Sequence, residues 1–188
     1  MVGKLFFCVL GKNGVGKTTI LTYYTFRCFT RDYDPNMEDC FEISSTVDQE
    51  EVKADLFDSS GYEFLAMREL YMKKSDGFIL VYSITDEESF LHLQSIIEHI
   101  YTLKQNKSVP ILIAGAKCDL EYQRAVTIYA GFQFAKNHNC LFFETSAKLT
   151  TNIDEAINTL LKETVKRKIQ DAQQNEISAK KSKNCVIF

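Results

Sequence analysis

The chain has 188 residues and a formal net charge of −3, which suits one domain with a short appendage. An apolar fraction of 45% beside 25% charged residues excludes a disordered chain, and the slightly acidic total gives no support to nucleic-acid binding. No apolar run approaches about 18 residues and the N-terminus lacks a signal-peptide pattern, so we expect neither a membrane span nor a signal peptide. Glycine, with 8 residues, is scarce, yet three glycines fall close together at Gly11, Gly14 and Gly16.

Apolar runs alternate with amphipathic segments along the chain. In chain order, strands are predicted at residues 4–10, 40–47, 52–57, 78–84, 110–115 and 141–143. Helices are predicted at residues 18–28, 126–137 and 153–172. A further helix is predicted to begin after Thr85, which would cap it. This alternation predicts an α/β fold with a six-stranded, mostly parallel sheet and helices on both faces. The domain would occupy residues 1–172, and the polar, aperiodic residues 173–188 would form a flexible tail.

A phosphate-binding loop is predicted directly after the first strand. Residues 11–18 fit the pattern G-x-x-x-x-G-K-[ST] between a strand and a helix. Its glycines let backbone N–H groups approach phosphate oxygens, Lys17 places a cation on the β- and γ-phosphates, and the Thr18 hydroxyl can ligate Mg²⁺. A chance turn is the competing interpretation, and the position between strand and helix disfavours it. The sequence therefore predicts a single P-loop NTPase domain.

Three further polar segments follow predicted strands. Asp58 comes after the third strand and can hold Mg²⁺, although residues 58–61 would also make a good turn. Residues 116–119 and 144–148 follow the last two strands, at the carboxyl edge where open α/β sheets bind ligands. A carboxylate at Asp119 can accept paired hydrogen bonds from the N1–H and amino groups of guanine. Adenine cannot supply that pair, so Asp119 favours guanine.

With these four motifs in this order, the chain resembles the small GTPases of the Ras superfamily, and most of all the Ras subfamily, from Lys4 to Lys168 and again at the C-terminus. The resemblance implies GTP or GDP and Mg²⁺ as cofactors. It implies a nucleotide-binding set of Gly11, Asn13, Gly14, Val15, Gly16, Lys17, Thr18, Thr19, Phe29, Lys117, Asp119, Ser146, Ala147 and Lys148. The implied metal ligands are Thr18, Asn36 and Asp58, and the implied catalytic positions are Lys17, Gly61 and Tyr62.

Four departures from the family fall on this site. Asn13 replaces a glycine and crowds the path of a partner's arginine finger. Gly61 is followed by Tyr62 where the family has the glutamine that orients the attacking water, in a loop one residue shorter. Asn36 replaces a threonine ligand of Mg²⁺, and Ala116 replaces an asparagine whose hydrogen bonds are worth roughly 0.5–1.5 kcal/mol each. We expect retained GTP binding and very slow hydrolysis.

The C-terminus, Cys185-Val186-Ile187-Phe188, is a C-a-a-X box, which predicts prenylation of Cys185 by a prenyltransferase. A terminal Phe favours a geranylgeranyl group. A single lipid anchors weakly, so the basic tail supplies a second signal. Its cations are Lys180, Lys181 and Lys183. We therefore expect the protein at the cytoplasmic face of a membrane, the plasma membrane in particular.

The leading hypothesis is a monomeric, lipid-anchored guanine-nucleotide switch with an exchange factor and a GTPase-activating protein as partners. Effectors would bind residues 59–75 and the loop that resembles the family's effector loop, Tyr33, Asp34, Pro35, Asn36, Met37, Glu38 and Asp39. The alternative is a pseudo-GTPase binding module, either locked with GTP or poor in nucleotide. A P-loop kinase that uses ATP is a third interpretation, which Asp119 and residues 146–148 disfavour.

Overall fold

The computed structural model describes residues 3–29, 40–59, 65–106 and 108–183. The strands are β1 (Leu5–Leu10), β2 (Cys40–Val47), β3 (Glu50–Asp58), β4 (Gly77–Ser83), β5 (Ile111–Ala116) and β6 (Leu141–Thr145). The helices are α1 (Lys17–Phe26), α2 (Leu65–Lys74), α3 (Glu87–Leu91), α4 (Leu93–Lys104), α5 (Ile128–Asn137) and α6 (Ile153–Lys183), with a 3₁₀ turn at Glu121–Gln123.

The six strands form one sheet in the order β2-β3-β1-β4-β5-β6. All neighbours are parallel except β2 and β3, which pair antiparallel. The turn between β2 and β3 is made by Asp48 and Gln49, both with positive φ (47° and 74°), the conformation of a tight hairpin. The prediction of a six-stranded, mostly parallel α/β domain is confirmed.

Helices cover both faces of the sheet, and this explains why its central strands read as unbroken apolar runs. All seven residues of β4 are buried. Side chains of α1 and α6, such as Leu21 and Leu160, pack in the core on one face. Side chains of α2, α4 and α5, such as Met72, Ile97 and Ala135, pack in the core on the other. The sheet therefore holds its carboxyl edge rigidly between two helical layers.

Three features differ from the sequence prediction. The helix cap near residue 85 is Asp86 and not Thr85, because the Asp86 carboxylate accepts the Ser89 N–H at 3.2 Å. The helix it starts is interrupted at His92, so α3 and α4 are separate segments. Helix α6 continues to Lys183, so the predicted helix end at residue 172 is too early. Of the helices in the described ranges, none combines the length and apolarity needed to cross a membrane.

Candidate nucleotide-binding site

A cavity of ≈ 440 Å³ opens at the carboxyl edge of the sheet, a volume in the range of small-molecule sites. Its lining joins the phosphate loop, the start of α1 and the segments after β5 and β6. The lining residues are Gly16, Thr19, Ile20, Phe29, Ala116, Lys117, Asp119, Leu120, Thr145, Ala147 and Lys148. Segments far apart in the sequence therefore meet at the edge where ligands of α/β sheets bind.

The phosphate loop has a backbone shape that requires glycine. Gly11, Gly14 and Gly16 have φ values of 149°, 76° and 114°, a region that side chains disfavour. At Gly11 a Cβ atom would also lie 2.2 Å from the backbone oxygen of Val81. Helix α1, which Gly16 caps, has neither a capping side chain nor an acidic residue in its first turn. Its N-terminal N–H groups and positive dipole end are therefore suited to a phosphate anion.

Lys17 is held inside the curve of this loop. It is only 3% exposed, and its ammonium donates to the backbone oxygens of Gly11 at 3.1 Å and Lys12 at 3.0 Å. These contacts pre-position the cation beside the N–H groups that would contact phosphate. A phosphate bound in the loop would therefore meet a positive charge already in place, without reordering of the lysine side chain.

The next residue links the loop to the third strand. The hydroxyl of Thr18 donates a hydrogen bond to the carboxylate of Asp58, which ends β3 and is 3% exposed. A hydroxyl and a carboxylate oxygen side by side form the kind of hard-oxygen pair that Mg²⁺ prefers. The chemistry of this pair therefore fits a magnesium ion held next to the phosphate loop.

The segment predicted to recognise guanine is ordered by hydrogen bonds between two loops. The Ser146 hydroxyl donates to Oδ1 of Asp119 at 2.6 Å, and Ser146 Oγ accepts the Leu149 N–H at 3.1 Å. Because Ser146 fixes the Asp119 carboxylate, this carboxylate is oriented before any ligand arrives. Ala147 and Phe29 both line the cavity. Ala147 is buried, whereas Phe29 is 43% exposed.

Lys117 connects the segment after β5 with the phosphate loop. It adopts a left-handed backbone conformation (φ 65°), and its ammonium donates to the backbone oxygen of Gly14 at 2.7 Å. The residue also lines the cavity, so its methylene stem can cover an aromatic base while its charge reaches the loop. One side chain thus couples the two halves of the site.

A nearly buried ion pair holds the end of β6 in place, and the sequence analysis did not predict it. Arg124 binds Glu144 through two hydrogen bonds of 2.6 and 2.8 Å, and it also binds Glu121. These carboxylates, Glu144 above all, raise the pKa of Arg124. Since Glu144 precedes Thr145 and Ser146, the pair anchors the segment that holds Asp119. Because Arg124 and Glu144 lie 20 residues apart, the pair produces no periodic pattern from which the sequence could predict it.

The other predicted site residues divide into two groups. Asn13 is exposed in the phosphate-loop turn, Val15 is buried in the core, and Thr19 and Lys148 line the cavity. The second group falls outside the described residues, and it comprises the predicted effector loop with Asn36, the catalytic positions Gly61 and Tyr62, and Cys185.

Comparisons with known proteins agree with this geometry. The family model described as Ras family matches residues 6–167. The chain is 36% identical over 187 residues to "Ras-like protein rasS" of Dictyostelium discoideum, covering 96% of each protein. It is 37% identical over 185 residues to "Ras-related protein R-Ras" of Rattus norvegicus, covering 96% of this chain and 85% of the relative. Together with a cavity lined by the phosphate loop and by the segments after β5 and β6, these matches show that the chain belongs to the Ras family of small GTPases.

Proposed function

We propose that this Ras-family GTPase is a lipid-anchored signalling switch that holds GTP or GDP together with Mg²⁺ and hydrolyses GTP slowly. The main support is that one cavity is lined both by the phosphate loop, through Gly16, and by Asp119, which Ser146 orients. A guanine nucleotide matches both, because its phosphates suit the loop and its base can donate two hydrogen bonds to Asp119.

For the metal, Thr18 and Asp58 are the protein ligands we propose from the described residues, since their oxygens already lie in contact. A bound Mg²⁺ would neutralise phosphate charge. The protein's own residues orient the nucleotide: Lys17 lies inside the phosphate loop, and Lys117 ties that loop to the base segment. Chelation with EDTA should therefore accelerate GDP release, and excess Mg²⁺ should reverse that effect.

Slow hydrolysis follows from the residues at the positions that normally serve the attacking water. Tyr62 stands at the place of the family's glutamine, and a phenol does not offer the paired donor and acceptor of an amide. Asn13 adds a side chain at the loop position that an arginine finger would pass. Single-turnover hydrolysis of GTP should be slower than in ordinary family members, and Tyr62→Gln should accelerate it. An unaccelerated Tyr62→Gln together with an ordinary wild-type rate contradicts the proposal.

A pseudo-GTPase is the second candidate, favoured by the same substitutions at Asn13, Asn36 and Tyr62. The nucleotide extracted from freshly purified protein distinguishes the candidates. Bound GDP supports a cycling GTPase, and bound GTP supports a locked switch. Protein that is purified without nucleotide and does not bind added GDP supports a nucleotide-free module. Retained binding is the expectation, because Lys17 and Asp119 are both in place.

Membrane attachment is proposed through a geranylgeranyl group on Cys185, supported by the C-terminal pattern and the basic residues Lys180, Lys181 and Lys183. Mass spectrometry of the protein from eukaryotic cells should find the lipid on Cys185, and Cys185→Ser should move the protein from the plasma membrane to the soluble fraction. Wild-type protein without lipid, or a Cys185→Ser variant that stays fully on membranes, contradicts this part. Effectors, an exchange factor and an activating protein are the partners expected of a Ras-family switch.

A further inference from the structure

We propose that the ion pair between Arg27 and Asp154 is a latch that sets how long the protein retains its nucleotide. This inference rests on guanine-nucleotide binding at the cavity described above. Both residues lie outside the cavity lining, and their role is to position the two segments that flank the base.

Arg27 is placed by the way α1 ends. It is the C-terminal cap of the helix, with a left-handed φ of 56° and its N–H donating to the Tyr23 backbone oxygen at 2.9 Å. Its guanidinium lies 5.4 Å from the ring centre of Tyr24 and 5.9 Å from that of Tyr23. Cation–π contacts of this kind restrict the side chain to a few rotamers and direct it toward α6.

Asp154 receives this guanidinium in the first turn of α6. Its Oδ1 pairs with Nη1 of Arg27 across 127 positions of sequence. A second contact holds the same two elements together, because the Tyr24 hydroxyl donates to Oδ1 of Asn158 at 3.0 Å. The C-terminal end of α1 is therefore tied to the beginning of α6.

The position of the pair gives it a functional consequence. Phe29, which lines the cavity, follows Arg27 by two residues, and Ala147 and Lys148, which line it too, shortly precede Asp154. The ion pair thus joins the segment on one side of the cavity to the loop on the other. Any movement of Phe29 away from that loop large enough to release a base strains or breaks the pair. Breaking it should accelerate nucleotide release more than it slows association.

The expected effect is moderate and sensitive to salt. The Arg27 and Asp154 side chains are 58% and 47% exposed, so ions in solution compete with the pair. Exposed pairs of this kind change an equilibrium by about twofold to fivefold. The tyrosine rings against Arg27 favour the upper part of that range.

The experiment measures release of fluorescent GDP from full-length protein at about 0.05 M and about 0.5 M salt, which span the change from weak to strong screening. We expect Arg27→Gln and Asp154→Asn to release GDP about twofold to fivefold faster than wild type at low salt, with association changed less. Wild-type release should accelerate with salt more than release from either variant does, because only wild type has the ion pair to lose. Arg27→Lys should restore part of the slow release, and Arg27→Gln with Asp154→Asn together should add little to either alone.

Lys162→Gln is the matched control. It removes another exposed ion pair of α6, with Asp48 at 2.9 Å, that touches neither flank of the cavity. Its release rate should equal that of wild type, and all variants should unfold within a few degrees of wild type. The latch is refuted if Arg27→Gln releases GDP like wild type, or if Lys162→Gln accelerates release equally. A wild-type protein that binds no GDP refutes guanine-nucleotide binding and the latch together, whereas normal binding with unchanged release in the variants refutes the latch alone.

Discussion

Ala116 on β5 and Thr145 on β6 are register partners in the sheet. The Thr145 hydroxyl is buried and has no hydrogen-bond partner among the described residues. Both residues line the cavity, and both are nearly inaccessible to solvent. A buried hydroxyl without a partner costs free energy, and an amide side chain at position 116 would give it one. The unpaired hydroxyl thus lies across the sheet register from Ala116, where the resemblance implies an asparagine.

Ala116→Asn should therefore tighten GDP binding by about fivefold to tenfold, the gain from one or two net hydrogen bonds. Equilibrium titration with fluorescent GDP measures the change. Ala116→Val is the control, since it adds volume without an amide and should bring no gain. Equal affinities for the Asn and Val variants would show that the missing amide is unimportant.

Removing the Tyr82 hydroxyl should stabilise the fold. Tyr82 is fully buried, its hydroxyl has no partner among the described residues, and burial raises its pKa above the usual value. Tyr82→Phe should increase the free energy of unfolding by about 1 kcal/mol, since the unpaired polar group is lost and the ring stays. Urea denaturation measures this. Tyr129→Phe, at an exposed tyrosine, should change little, and a less stable Tyr82→Phe would mean that the hydroxyl has a favourable contact.

The Arg124–Glu144 pair should contribute strongly to stability. Glu144 is 9% exposed, so Glu144→Gln leaves a poorly solvated guanidinium with only Glu121 as its carboxylate partner. We expect a loss of about 3 kcal/mol in the free energy of unfolding, because removing one member of a buried pair leaves a charge uncompensated. Glu121→Gln is the control. Its side chain is 69% exposed, and its loss should have a much smaller effect. Similar losses in the two variants would contradict a special role for the buried carboxylate.

Acidification should destabilise the protein partly through His138. Burial lowers the pKa of His138 below 6.5, so the unfolded chain binds this proton at a higher pH than the folded chain does. The stability contributed by the neutral ring is therefore present above about pH 6.5 and is lost as the pH falls below that value. Between about pH 7.5 and pH 5.5, wild type should lose more unfolding free energy than His138→Gln. Parallel curves for wild type and His138→Gln would contradict the prediction.

Strands and motifs were readable from the sequence because both depend on local pattern. A strand that is covered on both faces must be apolar throughout, which makes the central strands recognisable. Both ends of each predicted strand lie within two residues of the ends observed in the structure. The phosphate loop was recognisable because its positive φ angles require glycines at fixed spacing. Apolar periodicity alone does not predict helix α2, because the residues of Leu65–Lys74 show no clear apolar stripe, and the break at His92 has no Gly or Pro to mark it.

The supporting contacts of the site could not be predicted, since they join residues far apart in sequence. Lys117 reaches Gly14 across 103 positions, and Arg27 reaches Asp154 across 127. Charged residues on a surface have many possible partners, and only the fold decides which of them meet. The sequence therefore predicted the groups that we propose to contact a nucleotide, while the structure was needed to identify what holds those groups in place.

The length of helix α6 has a mechanical consequence for the lipid attachment proposed at Cys185. The ion pair between Lys168 and Asp76 joins the helix to the residue just before β4, and Ile169, one position further on, is 46% exposed. From there to Lys183 the helix continues for about 20 Å at the usual rise per residue. With the lipid attachment proposed above, a helix of this length would act as a spacer of fixed length and not as a flexible tether. It would set the distance between a bilayer and the nucleotide cavity, and so limit which large partners can stand between them.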